Sequence, residues 1–284
     1  DGASWTAFSG SSYILTGSDT GFKKFTSPMF GGFDGFDVKE KDPLRNSYMA
    51  GSPTERNNSS FYSIKKSISI LSDPDYAEFD LAAIPGLTNG SLNASLVTAC
   101  EERADSLAVI DLEGGYKPSH ENTAAEASNL GSVESSVSLL KDLNLNSSYA
   151  CAFYPWVKIR DTSSDAILYV PPSVVALGTL SSAQRKSAVW FAPAGFTRGG
   201  LSEGSAGLPV IGVRQRLTSA ERDRLYDANI NPIASFPAEG IVIFGQKTLQ
   251  VTKSSLDRIN VRRLLIHVKK EVSRIASRLL FDQN

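Results

Sequence analysis

The chain has 284 residues, enough for one large domain or two modest ones, and its 41% hydrophobic, 21% charged and 9% aromatic content fits a globular chain and excludes a disordered one. No apolar run approaches the ~20 residues of a transmembrane helix, and 29 basic against 30 acidic residues exclude a surface tuned throughout to nucleic acid. Two cysteines and two histidines leave no room for a disulfide framework or a Cys-based zinc site, and little for His-based metal chemistry.

Residues 1–48 are rich in Gly, Ser, Thr and aromatics and read as a β-rich segment of short strands and loops, Ser12–Thr16 among them. Phe61, Ile64, Ile68 and Leu71 stand at helical spacing within Ser59–Leu71. After the breaker Ser72-Asp73-Pro74, Phe79–Ile84 reads as a short buried strand ended by Pro85-Gly86. Leu92, Leu96, Ala99, Cys100 and Arg103 repeat helically over Ser91–Ala104 and lead into the apolar run Leu107–Ile110. Thr123–Leu143 reads as another helix and Tyr149–Tyr154 as another strand. This alternation predicts an α/β (α+β overall) fold with a central, largely parallel or mixed sheet flanked by helices. Arg185–Gly207 reads as loop and Pro209–Arg216 as a strand. Thr218 with Glu221 forms a capping box that opens a helix over Ser219–Ala228. Strands come next around Ile230–Phe236 and Gly240–Phe244.

The last element is a long amphipathic helix from Leu256 to Leu280. Val261, Leu264, Leu265, Val268, Val272, Ile275, Ala276 and Leu279 recur every three or four residues, a stripe that core packing would explain. Arg263, Lys270, Arg274 and Arg278 fall on the opposite side. Residues 253–284 hold eight basic and three acidic residues, a net of +5; the other 21 basic and 27 acidic residues give −6. Such asymmetry points to a basic end that meets an acidic partner. The organisation expected is a β-rich segment at 1–48, an α/β core at 49–240, and a C-terminal portion at 241–284 that carries the basic helix.

Motifs of catalysis are missing. The chain has no G-x-x-x-x-G-K-[ST] loop, no H-E-x-x-H helix and no G-x-S-x-G elbow, since Gly204-Ser205-Ala206-Gly207 has the wrong spacing. His120 falls in a turn beside Pro118, His267 on the final helix among arginines, and Glu101-Glu102 on different sides of a helix. Gly31–Asp37 lacks the alternating oxygen ligands and terminal Glu of a calcium loop. No catalytic residue, cofactor-binding residue or metal ligand is assigned, and no cofactor is expected. An enzyme on this scaffold, such as a hydrolase, would have Asp111 at a strand end as its best acid, without a nucleophile, base or phosphate loop beside it.

Several segments, in order, resemble the contractile tail sheath family of phages and phage-derived injection machines. They are Pro28–Gly35, Ile84-Pro85-Gly86-Leu87-Thr88, Ser106–Asp111, Tyr154-Pro155-Trp156, Val170-Pro171-Pro172-Ser173, Val189–Ala194, Asn231-Pro232-Ile233, Phe244–Leu249 and Ile259–Leu265. Ala188, Gly195 and Phe244 stand where that family usually has Gly, Asn and Trp, which marks a divergent member. The chain starts at Asp1 without a Met or a signal peptide, and it is expected to be a core fragment lacking the terminal arms.

The resemblance implies a structural subunit, not an enzyme. It would polymerise helically around an inner tail tube and contract to drive that tube through the host envelope for genome ejection. Implied partners are copies of itself, the inner tube protein, and the baseplate and tail terminator proteins, with no direct nucleic acid and no membrane insertion. The location implied is the virion tail, after assembly in the host cytoplasm. An R-type bacteriocin or a secretion system is the alternative setting. On this reading Arg262, Arg263, Lys270, Arg274 and Arg278 are expected to contact the tube or a neighbouring subunit. Trp156 and Trp190 are expected to fill core or interface pockets, and Pro171-Pro172 to set a strand exit or helix start.

Overall fold

The computed structural model describes residues 59–118, 129–202 and 206–280, together with 42, 44, 46, 49, 121 and 204. The chain divides into two units, 1–39 and 40–284. The first lies outside the described residues, as do the Ser12–Thr16 strand and the Gly31–Asp37 turns expected from sequence and all of the β-rich segment except residues 42, 44 and 46.

In chain order the second unit has helix α1 (Ser59–Leu71), strand β1 (Leu81–Ala83), helix α2 (Gly90–Arg103), strand β2 (Leu107–Ile110), helix α3 (Val133–Asp142) and strand β3 (Ala150–Tyr154). Strands β4 (Val157–Arg160) and β5 (Ile167–Val170) come next, then helix α4 (Pro172–Lys186), strand β6 (Val210–Val213) and helix α5 (Ser219–Asp227). Strands β7 (Ile230–Phe236) and β8 (Gly240–Ile243), a 3₁₀ turn (Ser255–Asp257) and helix α6 (Ile259–Leu279) complete it.

The central sheet is mixed, in the order β1-β2-β3-β7-β8. The first four strands are parallel and β8 pairs antiparallel to β7. Every residue of β2 and β3 is buried, as expected for parallel strands covered on both faces. Their side chains sort by parity. Ala108, Ile110, Ala150, Ala152 and Tyr154 face a core shared with α1, α2, α3 and α5. Leu107, Val109, Cys151 and Phe153 face a second core shared with α4, β4, β6 and the start of α6. The sheet is thus the middle of three layers.

Local chemistry sets the helix ends. Asn89 caps α2 by accepting the Leu92 N–H at 3.1 Å. Thr218 and Glu221 form the reciprocal capping box expected of α5. Pro172 opens α4 at a position where its missing N–H costs no hydrogen bond. The helix expected over Thr123–Leu143 is shorter. Residues 122–128 lie outside the described residues, and α3 begins only at Val133, after Gly131 with φ of +72° and the Ser132 cap. A left-handed residue cannot continue a right-handed helix, so the apolar pattern upstream does not extend it.

A second sheet, antiparallel in the order β5-β4-β6, was not legible beyond β6. The outer edge of β8 is covered by the loop between α4 and β6, since Leu201 N–H donates to Ile241 O and Ile243 N–H to Gly199 O. This closes one edge of the main sheet to further pairing.

Gly178 in α4 marks the tightest approach between layers, since a Cβ there would sit 2.1 Å from the Ala206 carbonyl oxygen. Because that neighbour is backbone, Gly178→Ala should lower stability by about 2–3 kcal/mol, read as a reduced urea midpoint with unchanged slope.

Candidate functional site

Three of the motif segments meet at one carboxylate. Asp111 lies just after β2 and is 1% exposed. Its Oδ2 accepts the Gly86 N–H at 2.8 Å and the Ser173 hydroxyl at 2.6 Å, while its Oδ1 accepts the Ser173 N–H at 3.0 Å. The turn after β1, the end of β2 and the first turn of α4 are therefore tied at one point. Burial pushes its pKa up to about 6, against the lowering effect of the bonds from Ser173 and Gly86. The best acid of the enzyme alternative is thus a structural clasp.

Two more segments meet at Asn231. Pro232 offers no N–H to the sheet. Beside it, the fully buried Asn231 donates its Nδ2 to Ala152 O at 3.0 Å and Lys247 O at 2.8 Å, and its Oδ1 accepts the Lys247 N–H at 2.6 Å. Gly245 lets this happen, because a Cβ there would lie 2.9 Å from Asn231 Oδ1. The node runs on into α6. Thr248 N–H donates to Asp257 O and Ile259 N–H to Gln246 O, both at 2.9 Å.

α6 meets the body along a side other than the one expected, and only over its first half, since every residue from Val272 to Leu279 is exposed. Ile259, Arg262, Arg263 and Ile266 are its buried residues. Leu265, Val268, Val272, Ile275 and Leu279, expected in the core, are exposed. The periodicity is correct and the inward face is not, because the cations find partners. Arg263 donates to Leu180 O at 3.2 Å and Gln184 Oε1 at 2.8 Å, near the C-terminus of α4. Arg262 donates to Ser148 Oγ and stacks 3.9 Å from the centre of the Tyr149 ring. Lys269 donates to the Arg103 and Ala104 carbonyls at the end of α2, and Lys270 to Phe79 O at 2.8 Å and Asp80 Oδ1 at 2.5 Å. Helix C-termini favour cations. Burial lowers the Arg263 pKa, which does not discharge a guanidinium.

Of the five cations singled out in the sequence, the fold therefore brings Arg262, Arg263 and Lys270 into its own contacts. Arg274 is exposed and pairs with Glu271 at 2.5 Å, and Arg278 is exposed. Trp156 is buried, whereas Trp190 is half-exposed and stacked on Phe191. Sequence reasoning missed an aromatic cluster of Phe196, Phe236 and Phe244, whose ring centres lie 5.1–5.8 Å apart. It comes from three separate loops and strand ends, so no local pattern announces it. A cavity of about 360 Å³ opens at the ends of β1 and β2, lined by Asn89, Glu113, Tyr116, Lys117 and Trp156 among others, and no histidine is among its described lining residues.

No protein-family model matches the chain. A tail sheath protein of Vibrio phage KVP40 is 34% identical over 146 residues, 51% of this chain and 21% of that protein. A tail sheath protein of Salmonella phage ViI is 30% identical over 217 residues, 74% of this chain and 33% of that protein. This chain is a homologue of the phage tail sheath proteins. It spans between a fifth and a third of the length of these relatives. The fold also matches the sheath complex of an extracellular contractile injection system, PVC, in its contracted state, with a TM-score of 0.57 and 22% identity over 76% of this chain and 53% of the other.

Asp111→Ala would leave the two buried Ser173 donors and the part-buried Gly86 N–H without their acceptor and should cost about 3 kcal/mol. The raised pKa also sets a pH dependence. The contribution of Asp111 to stability is full below its ordinary value of 3.8 and is lost as pH rises through about 6. Stability in urea titrations of the unaltered chain should therefore fall between pH 4 and 7, and Asp111→Asn should flatten that fall.

Proposed function

We propose that this chain is the core of a structural subunit of a contractile tail sheath, one that polymerises helically around an inner tube and contracts to drive the tube through a host envelope for genome ejection. The observation that carries the reading is the convergence of the motif segments on the Asp111 and Asn231 nodes in a chain homologous to tail sheath proteins. Both nodes brace layers against one another and leave no free acid, as suits a block that moves rigidly while its interfaces re-pair. The subunit carries no reaction of its own. Its contacts with other copies are heterologous, and repeat without closing.

Its other partners are the inner tube protein and the baseplate and tail terminator proteins, with no direct nucleic acid and no membrane insertion. It resides in the virion tail, after a period in the host cytoplasm. A sheath of a phage-derived injection machine is the second reading, favoured by the fold it shares with the PVC sheath.

Arg274 and Arg278 are the cations we assign to contact with the tube or a neighbouring subunit. Arg262, Arg263 and Lys270 serve that contact by holding the helix that presents them. Each exposed ion pair contributes only about 0–1 kcal/mol, a grip weak enough to break at firing and multiplied by the number of subunits. In the full-length protein, Arg274→Glu with Arg278→Glu should give sheaths seen by electron microscopy only as contracted tubes or without an inner tube. Extended tails at the usual frequency would refute the assignment, and a full-length unaltered chain that never forms striated tubes would refute the sheath reading itself.

A further inference from the structure

Arg103, the last residue of α2, places all five of its guanidinium N–H groups inside the fold, and its side chain is 0% exposed. Nε and one Nη2 N–H clasp the Asp105 carboxylate at 2.8 and 2.9 Å. The other three donors go to the stretch that joins α1 to β1. Nη1 donates to Leu71 O and Asp73 O, both at 2.9 Å, and Nη2 to Ala77 O at 2.8 Å. The Phe79 ring lies against the guanidinium, its centre 4.2 Å from the central carbon. Residues 73–76 of this connector are exposed, so Arg103 supplies much of its hold on the body.

The same residue marks the place where α6 leaves the body. Ala104, with φ of +55°, ends α2, and the Arg103 and Ala104 carbonyls there turn to α6 for a donor. Lys269 Nζ meets both, at 3.2 and 3.3 Å. Lys270 Nζ meets Phe79 O at 2.8 Å, on the very residue stacked against Arg103, and Asp80 Oδ1 at 2.5 Å. Among the described residues, no side chain of α6 beyond Lys270 bonds to the rest of the body. We infer that Arg103 is the mount of the free half of α6, and that the connector and the helix from Val268 onward form one unit that opens and closes together. In the open state the lysines release the carbonyls, Phe79 leaves the guanidinium, and the connector carbonyls turn to water. Whatever holds the free half of α6 therefore steadies the connector, and by linkage the reverse is true. The opening is local, since β2 and β3 keep their own pairing. This inference does not rest on the sheath reading, and its failure leaves that reading untouched.

Hydrogen exchange followed by NMR reads the coupling at two places. One is the Ser72, Asp73 and Tyr76 amides, each bonded to a backbone carbonyl; the other is the amides of residues 268–274. Lys269→Met with Lys270→Met keeps good helix formers in α6 and should speed exchange at the three connector amides at least threefold. Arg103→Lys keeps the charge and loses the planar fork; it should speed exchange at both places at least tenfold more than at Ala108, whose N–H is bonded to Tyr149 O in the sheet. Connector amides indifferent to the lysine substitutions would overturn the inference. So would α6 amides indifferent to Arg103→Lys, or a rise at Ala108 as large as at the other two places, because Arg103 would then support the whole body and not this unit.

Discussion

A carboxylate at the end of a buried strand holds the layers of this protein in register. Asp111 leaves β2 where the sheet is covered on both faces, so its oxygens and the donors around them have little access to water. An unpaired polar group there would be costly. The turn after β1 and the first turn of α4 supply the donors, and each is thereby fixed to a strand it does not belong to. The two cores pack against a sheet whose ends are already tied, and the elements that carry the outer surface inherit that position.

The Asn231 node applies the same logic at β7. Pro232 has no N–H to give, and the side chain of its neighbour Asn231 donates to the Ala152 carbonyl of the adjacent strand. The same side chain holds the backbone of Lys247, and the stretch after it hands on to the first turn of α6 through backbone hydrogen bonds. The segments that meet at Asp111 and Asn231 are thus joints more than surfaces.

In the final helix, polar groups outcompete apolar ones for the inward face. Arginine and lysine have long apolar stems that pack while their charged ends reach carbonyls. The ends of α2 and α4 present such carbonyls close to α6. Satisfying them with cations leaves the apolar row of Leu265, Val268, Val272, Ile275 and Leu279 outside.

Much of the body was legible in sequence because its signals are local. Apolar runs such as Leu107–Ile110, the three-four spacing from Phe61 to Leu71, and the Thr218–Glu221 box each report on a few adjacent residues, and the structure has an element at each. The β4–β5 pair escaped because its strands are short and half-exposed, with little alternation to read. The aromatic cluster escaped because Phe196, Phe236 and Phe244 are brought together only by folding. For α6, periodicity by itself determined that a helix forms and which residues share a side. Only the tertiary structure decided which side turns inward, because the partners of Arg263 and Lys269 lie 83 and 166 residues away in the chain, and hydrogen bonding at that range leaves no trace in the pattern of a single helix.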